Sequence, residues 1–121
     1  MSPCNHILIV DDQPDNRLIL EDLLGAAYTV HTANAGQEAL DYLAAGGAAD
    51  LILLDVVMPD LDGFEVCRRI KTDPATREIP VIFLTARAES EDVVRGFKLG
   101  GVDYVTKPFK GVELRSRVRN H

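Results

Sequence analysis

Two short runs, Leu51-Ile-Leu-Leu54 and Val81-Ile-Phe-Leu84, are apolar at every position. A strand with one wet face alternates apolar and polar residues. A strand with no polar position must be covered on both sides, as parallel strands of an α/β sheet are. Around these two runs, segments of strand length alternate with segments of helical period. The predicted strands are His6–Val10, Tyr28–Thr32, Leu51–Leu54, Val81–Leu84 and Tyr104–Thr106. Tyr28–Thr32 alternates, which suits a sheet edge.

The intervening stretches carry helix punctuation. The first, about Pro14–Leu24, opens with a proline suited to an initial turn and stops at Gly25. The second is predicted from an Asn34 cap, with Gln37 three residues on, to Gly46-Gly47. The third covers about Gly63–Thr72 and buries some of Phe64, Val66, Cys67 and Ile70. The fourth opens with Glu89, Ser90, Glu91 and Asp92, acids that favour a helix N-terminus, and ends at Gly100. The fifth begins near Gly111 and uses Leu114 and Val118. Five βα units without repeat or linker predict one doubly wound domain over residues 1–121, with a parallel sheet and helices on both faces.

Composition narrows the class. The hydrophobic fraction of 46% and charged fraction of 26% are those of an ordinary globular domain. No apolar run approaches the length that crosses a bilayer, and Met1-Ser-Pro-Cys-Asn-His6 lacks the basic start and long apolar core of a signal peptide. A cytoplasmic protein with no membrane partner is expected. Cys4 and Cys67 have no metal-site spacing; Cys67 reads as core and no disulfide is expected. His6, His31 and His121 are scattered along the chain and suggest no metal site. The net charge is −6, yet residues 107–121 carry five basic groups and one acid, leaving −10 on the rest. That acidic remainder argues against direct nucleic-acid binding, and the basic end reads as a solvated helix face.

In doubly wound sheets, ligands gather beyond the carboxyl ends of the strands. Those positions hold Asp11 and Asp12 after the first run, Asp55 after the third, Thr85 after the fourth and Lys107 after the fifth. One acid after a strand is often only a turn former. Four strands that all end in mutually compatible polar groups point to chemistry. Two carboxylates about 5 Å apart repel by roughly 3 kcal/mol at an effective dielectric near 20. A hard divalent cation relieves that repulsion, and Mg²⁺ is the usual partner of one or two carboxylates plus a phosphate. Lys107 suggests that the substrate is itself an anion. Asp55, at the end of the central all-apolar run, is the best nucleophile candidate, which leaves Asp11 and Asp12 to hold metal.

Absences matter too. No G-x-x-x-x-G-K-[ST] or G-x-G-x-x-G loop points to a nucleotide. Val57 stands where an aspartate-nucleophile phosphatase of the haloacid dehalogenase type would carry its acid. The site reads as one that stores phosphate rather than turning it over quickly.

This set resembles the receiver domain of two-component response regulators. The matching stretches are Ile7-Leu-Ile-Val-Asp-Asp12, Leu51-Ile-Leu-Leu-Asp-Val-Val-Met-Pro59, Asp62-Gly-Phe64, Pro80-Val-Ile-Phe-Leu-Thr-Ala86 and Gly101-Val-Asp-Tyr-Val-Thr-Lys-Pro-Phe109, essentially the whole chain. The resemblance implies strand order 2-1-3-4-5. It implies Asp55 as acceptor of a phosphoryl group from a histidine kinase or histidine phosphotransfer protein. It implies Mg²⁺ on Asp12, Asp55 and the backbone carbonyl of Val57, with Asp11 acting partly through water. Thr85 and Lys107 would contact the phosphoryl group, Thr85 and Tyr104 would form the switch, and the Lys107–Pro108 bond would be cis. Similar domains signal through the face of the fourth helix, fifth strand and fifth helix, often by homodimerising there. An apolar Val57 and a crowding Arg87 predict a long-lived phosphorylated state, and Met58-Pro59 is expected to shape the loop after Asp55. The ending Arg115-Ser-Arg-Val-Arg-Asn-His121 resembles that of receivers joined to further domains. Two other readings stay open: a docking module that ignores phosphorylation, and a small Mg-dependent phosphatase.

Overall fold

The computed structural model describes residues 5–85, 98 and 100–121. Five strands, β1 (His6–Val10), β2 (Thr29–Ala33), β3 (Leu51–Asp55), β4 (Val81–Thr85) and β5 (Asp103–Thr106), form one sheet. Every pairing is parallel and the order is β2-β1-β3-β4-β5. Four helices are described: α1 (Pro14–Leu24), α2 (Gly36–Ala44), α3 (Gly63–Thr72) and α4 (Gly111–Arg119). The helix expected from Glu89 to Gly100 and the residue Arg87 lie outside the described residues, as does Cys4.

Strand periodicity explains why the sheet separates two cores. Register aligns Ile7 with Leu51, Ile9 with Leu53, Leu53 with Ile82 and Leu84 with Val105. Those side chains share one face and meet Leu20 and Leu24 of α1 and Leu114 and Val118 of α4. The alternate residues Leu8, Val10, Ile52, Leu54, Val81 and Phe83 face the other way. They meet Ala39 and Leu43 of α2 and Phe64, Val66, Cys67 and Ile70 of α3. Burying a side chain of this size contributes roughly 1.5–3 kcal/mol. The central strands, with two covered faces, therefore anchor the domain.

Several boundaries differ from expectation, each for a physical reason. β3 and β4 each run one residue further, because Asp55 and Thr85 still pair within the ladder although their side chains are polar. β5 begins one residue earlier, at Asp103, which pairs with Ile82. β2 is displaced by one: the Tyr28 amide still bonds to the Leu24 carbonyl, while Ala33 is buried opposite Val10. α2 is not capped by Asn34. Its cap residue is Ala35, which offers no side-chain acceptor. Asp60, from the loop after β3, accepts from the Gly36 and Gln37 amides at 3.2 and 3.0 Å instead. The helix also stops at Ala44, before Gly46 turns the chain with φ +87°.

The histidines are not all scattered. Adjacent strands bring the His6 and His31 rings into a stack with Nδ1 and Nε2 3.1 Å apart. His121 reaches Asp103 at 3.2 Å. Cys67 is a buried thiol on α3. Among the described residues, no helix is long and apolar enough to cross a membrane.

Candidate functional site

The strand ends deliver their polar residues to one rim through backbone bonds. The Asp11 amide donates to the Ala33 carbonyl, which fixes the first residue after β1 beside the end of β2. Asp55 sits inside the ladder opposite Leu84, and the Val56 amide continues that pairing to the Leu84 carbonyl. The Lys107 amide donates to the Thr85 carbonyl at 2.9 Å, which sets Lys107 next to the end of β4. The Lys107–Pro108 peptide is cis.

The resulting cluster is tight. Carboxylate oxygens of Asp11, Asp12 and Asp55 lie within 4.8 Å of one another. Lys107 Nζ donates to Asp55 Oδ1 at 3.1 Å and stands 3.8 Å from Asp11 Oδ2. Asp11 is wholly buried and Asp55 nearly so, whereas Asp12 and Lys107 are half-buried. An open cleft of about 670 Å³ is lined by Asp12, Gln13, Asp55, Val57, Thr85 and Lys107, with Met58 and Pro59 in its wall. The Val57 side chain is 78% exposed, so the residue borders the cleft without filling it.

The electrostatics follow from this geometry. Burial pushes the Asp55 carboxyl up to about 6, with the neighbouring Asp11 adding to the rise. The hydrogen bond and charge of Lys107 and the Val57 amide pull it down, but less strongly. Asp11 Oδ1 accepts from the Gln13 amide at 2.9 Å. Asp11 Oδ2 is buried without a hydrogen-bond partner, since 3.8 Å to Lys107 is too long for one. A buried carboxylate oxygen left bare is costly.

That orphaned oxygen tests whether a cation belongs here. Three carboxylates form an all-oxygen donor set of the kind that hard divalent ions take. The residues fit such an ion, and an ion among them would satisfy the bare oxygen.

All five polar strand-end residues of the sequence prediction, Asp11, Asp12, Asp55, Thr85 and Lys107, thus meet at one rim. Tyr104 is half-buried on edge strand β5, with the Arg117 guanidinium 5.2 Å above its ring. Arg117 also pairs with Asp103, which ties α4 to β5. Sequence reasoning missed Gln13 and Arg17. Gln13 supplies an amide to Asp11, and Arg17 Nη1 donates to the Asp11 carbonyl at 2.7 Å. Neither residue type nor spacing signals such backbone contacts.

Comparison with known proteins agrees with this arrangement. The sequence profile described as "Response regulator receiver domain" matches residues 7–119. A probable cyclic di-GMP phosphodiesterase of Vibrio cholerae is 48% identical over 121 residues, covering 100% of this chain and 27% of that protein. Response regulator PleD of Caulobacter vibrioides is 48% identical over 115 residues, 94% of this chain and 25% of that protein. The chain therefore spans about a quarter of the length of these relatives. Among solved structures, chemotaxis protein CheY4 of V. cholerae superposes with a TM-score of 0.89 at 30% identity, covering 97% of this chain and 98% of that one. A putative response regulator from Chloroflexus aurantiacus gives 0.90 at 38% identity, covering 98% and 97%. With the sheet order, the acidic rim and this match across nearly its full length, the chain belongs to the response regulator receiver domain family of two-component signalling.

Proposed function

We propose that Asp55 is the phosphoacceptor of a Mg²⁺-dependent switch, and that its donor is a phosphohistidine on a histidine kinase or phosphotransfer protein. The observation that carries this reading is the convergence of Asp11, Asp12, Asp55 and Lys107 around one open cleft, with a buried oxygen of Asp11 unsatisfied.

Asp12, Asp55 and the Val57 carbonyl would hold the ion, with Asp11 acting partly through water. Bound Mg²⁺ supplies positive charge that offsets the carboxylates and the transferring phosphoryl oxygens. The remaining work falls to the chain's own groups. Lys107 favours the ionised form of Asp55, which is the nucleophile, against burial and Asp11. An Asp55 oxygen forms the new P–O bond as the P–N bond to imidazole breaks, and the electron pair returns to the imidazole nitrogen. Lys107 is placed to pair with a phosphoryl oxygen, and Thr85, at the end of β4, to donate its hydroxyl to another. Tyr104 would respond to movement of Thr85 and so alter the surface formed by the predicted fourth helix, β5 and α4. A second copy of the chain is a partner suited to that surface.

Residues 1–121 would act as one receiver unit in the cytoplasm, switching rather than turning over substrate. The relatives of which it covers about a quarter support a role as the regulated input of a longer protein. Incubation with acetyl phosphate and Mg²⁺, read by intact mass, should add one phosphoryl group per chain to wild type and none to Asp55→Asn. Label that persists in Asp55→Asn overturns the assignment.

A further inference from the structure

The loop from Val56 to Asp62 follows Asp55 directly and contains Val57, the proposed backbone ligand. Its far end is fixed by α3: Asp62 caps that helix by accepting from the Glu65 amide at 2.8 Å, and the Gly63 amide returns to the Val56 carbonyl at 2.8 Å. Its interior is fixed by a different element. Met58 is buried in the core beneath the loop, and Leu61 packs against the same cluster. Between them Asp60 reaches α2, where its two carboxylate oxygens take the Gly36 and Gln37 amides. α2 has no side-chain cap of its own.

The approach is close. A Cβ added to Gly36 would lie 2.6 Å from Val66 Cγ2, 3.0 Å from Leu61 Cβ and 3.2 Å from the Leu61 carbonyl. Only a residue without a side chain lets the loop sit this near the helix. Burial alone would raise the Asp60 carboxyl, but the amides of Gln37, Leu61 and Gly36 outweigh it, so the group stays ionised. A charged acceptor on a helix N-terminus is a strong tether.

We propose that Asp60 is a positioning residue for the metal site: by capping α2 from the loop after β3, it holds the Val57 backbone where the ion is bound. This rests on the reading of Asp11, Asp12, Asp55 and Val57 as the metal ligands. A helix cap that served α2 alone would support stability and leave ion binding unchanged. A tether acting on the loop changes both.

Mn²⁺ serves as the probe, with free ion counted by electron paramagnetic resonance well below the melting temperature. Asp60→Ala should raise the Kd for Mn²⁺ by roughly three- to tenfold, the equivalent of losing a cap. Asp60→Asn keeps one acceptor oxygen for the two amides, its Nδ2 being a donor, and should weaken binding less than Asp60→Ala. A lower Tm for Asp60→Ala with an unchanged Kd overturns the proposal, as does equal weakening by Ala and Asn, which would indicate charge rather than tethering. If the alanine variant does not fold, Asp60→Ser replaces it: its acceptor is shorter, and the Kd and Tm decide in the same way. Mn²⁺ binding that is absent in wild type, or undiminished in Asp12→Asn, overturns the metal-site reading and this inference with it.

Discussion

The Lys107 ammonium donates to Asp55 across 3.1 Å, joining two residues 52 positions apart at the ends of strands that are not neighbours in the sheet. β4 stands between them, and its Thr85 carbonyl takes the Lys107 amide. The pair therefore depends on the whole five-stranded arrangement. Replacing Lys107 with Met should leave Asp55 to burial and Asp11, raising its carboxyl above about 6. Labelling by acetyl phosphate at neutral pH should slow by on the order of a hundredfold. Initial rates followed by intact mass would check this, and an unchanged rate would remove Lys107 from the chemistry.

Asp55 also ties stability to pH. Its carboxyl rises from 3.8 to about 6 in the fold, so the native state holds the proton more tightly than the unfolded chain. That contribution is fully present below about pH 4 and is lost as pH rises through 6. Asp55→Asn should therefore stabilise the metal-free domain at pH 7.5 by roughly 1–3 kcal/mol, with a smaller gap at pH 5. Mg²⁺ should raise the wild-type Tm and narrow the difference. Thermal melts of both proteins with and without the ion test each arm.

Gly63 lies against the strand end that carries Asp55. A Cβ there would sit 2.2 Å from the Asp55 carbonyl oxygen and 2.9 Å from Val56 Cα, both backbone atoms with little freedom to yield. Gly63→Ala should cost roughly 1–3 kcal/mol as overpacking and slow phosphorylation by displacing Asp55. Urea denaturation and the mass assay would report the two effects. Normal labelling in a destabilised variant would separate packing from site geometry.

Cys67 is fully buried on α3, and burial pushes its thiol up to about 11, with Lys71 pulling slightly the other way. The thiolate is the reactive form. In a Cys4→Ser background, iodoacetamide at pH 8 should leave the native chain unmodified and add one equivalent once urea unfolds it. Rapid native labelling would mean that α3 opens locally.

The sheet was legible because Leu51–Leu54 and Val81–Leu84 admit no wet face, and the polar residues after the runs marked the rim where Asp55 and Lys107 meet. What escaped was non-local. Asn34 looked like the start of α2, but the acceptor that caps the helix is Asp60, more than twenty residues away and brought near by the turn after β3. The Gln13 amide holds the Asp11 carboxylate and the Arg17 guanidinium holds the Asp11 carbonyl, and a contact with one backbone partner leaves no pattern in the sequence. β3 and β4 were cut short for a related reason: polarity ends an apolar pattern without ending a hydrogen-bonded ladder. The contact of His6 with His31 likewise required the parallel pairing of β1 and β2 before it could be foreseen.

Asp55 is itself a paired residue of the middle strand, gripped by a neighbour through its backbone. A group rooted in this way cannot swing out to meet a visitor. If Asp55 takes the phosphoryl group as proposed, reach must come from the donor, and any rearrangement after the encounter falls to the periphery. Outer helices and loops are then free to diverge toward different downstream tasks while the landing point stays put.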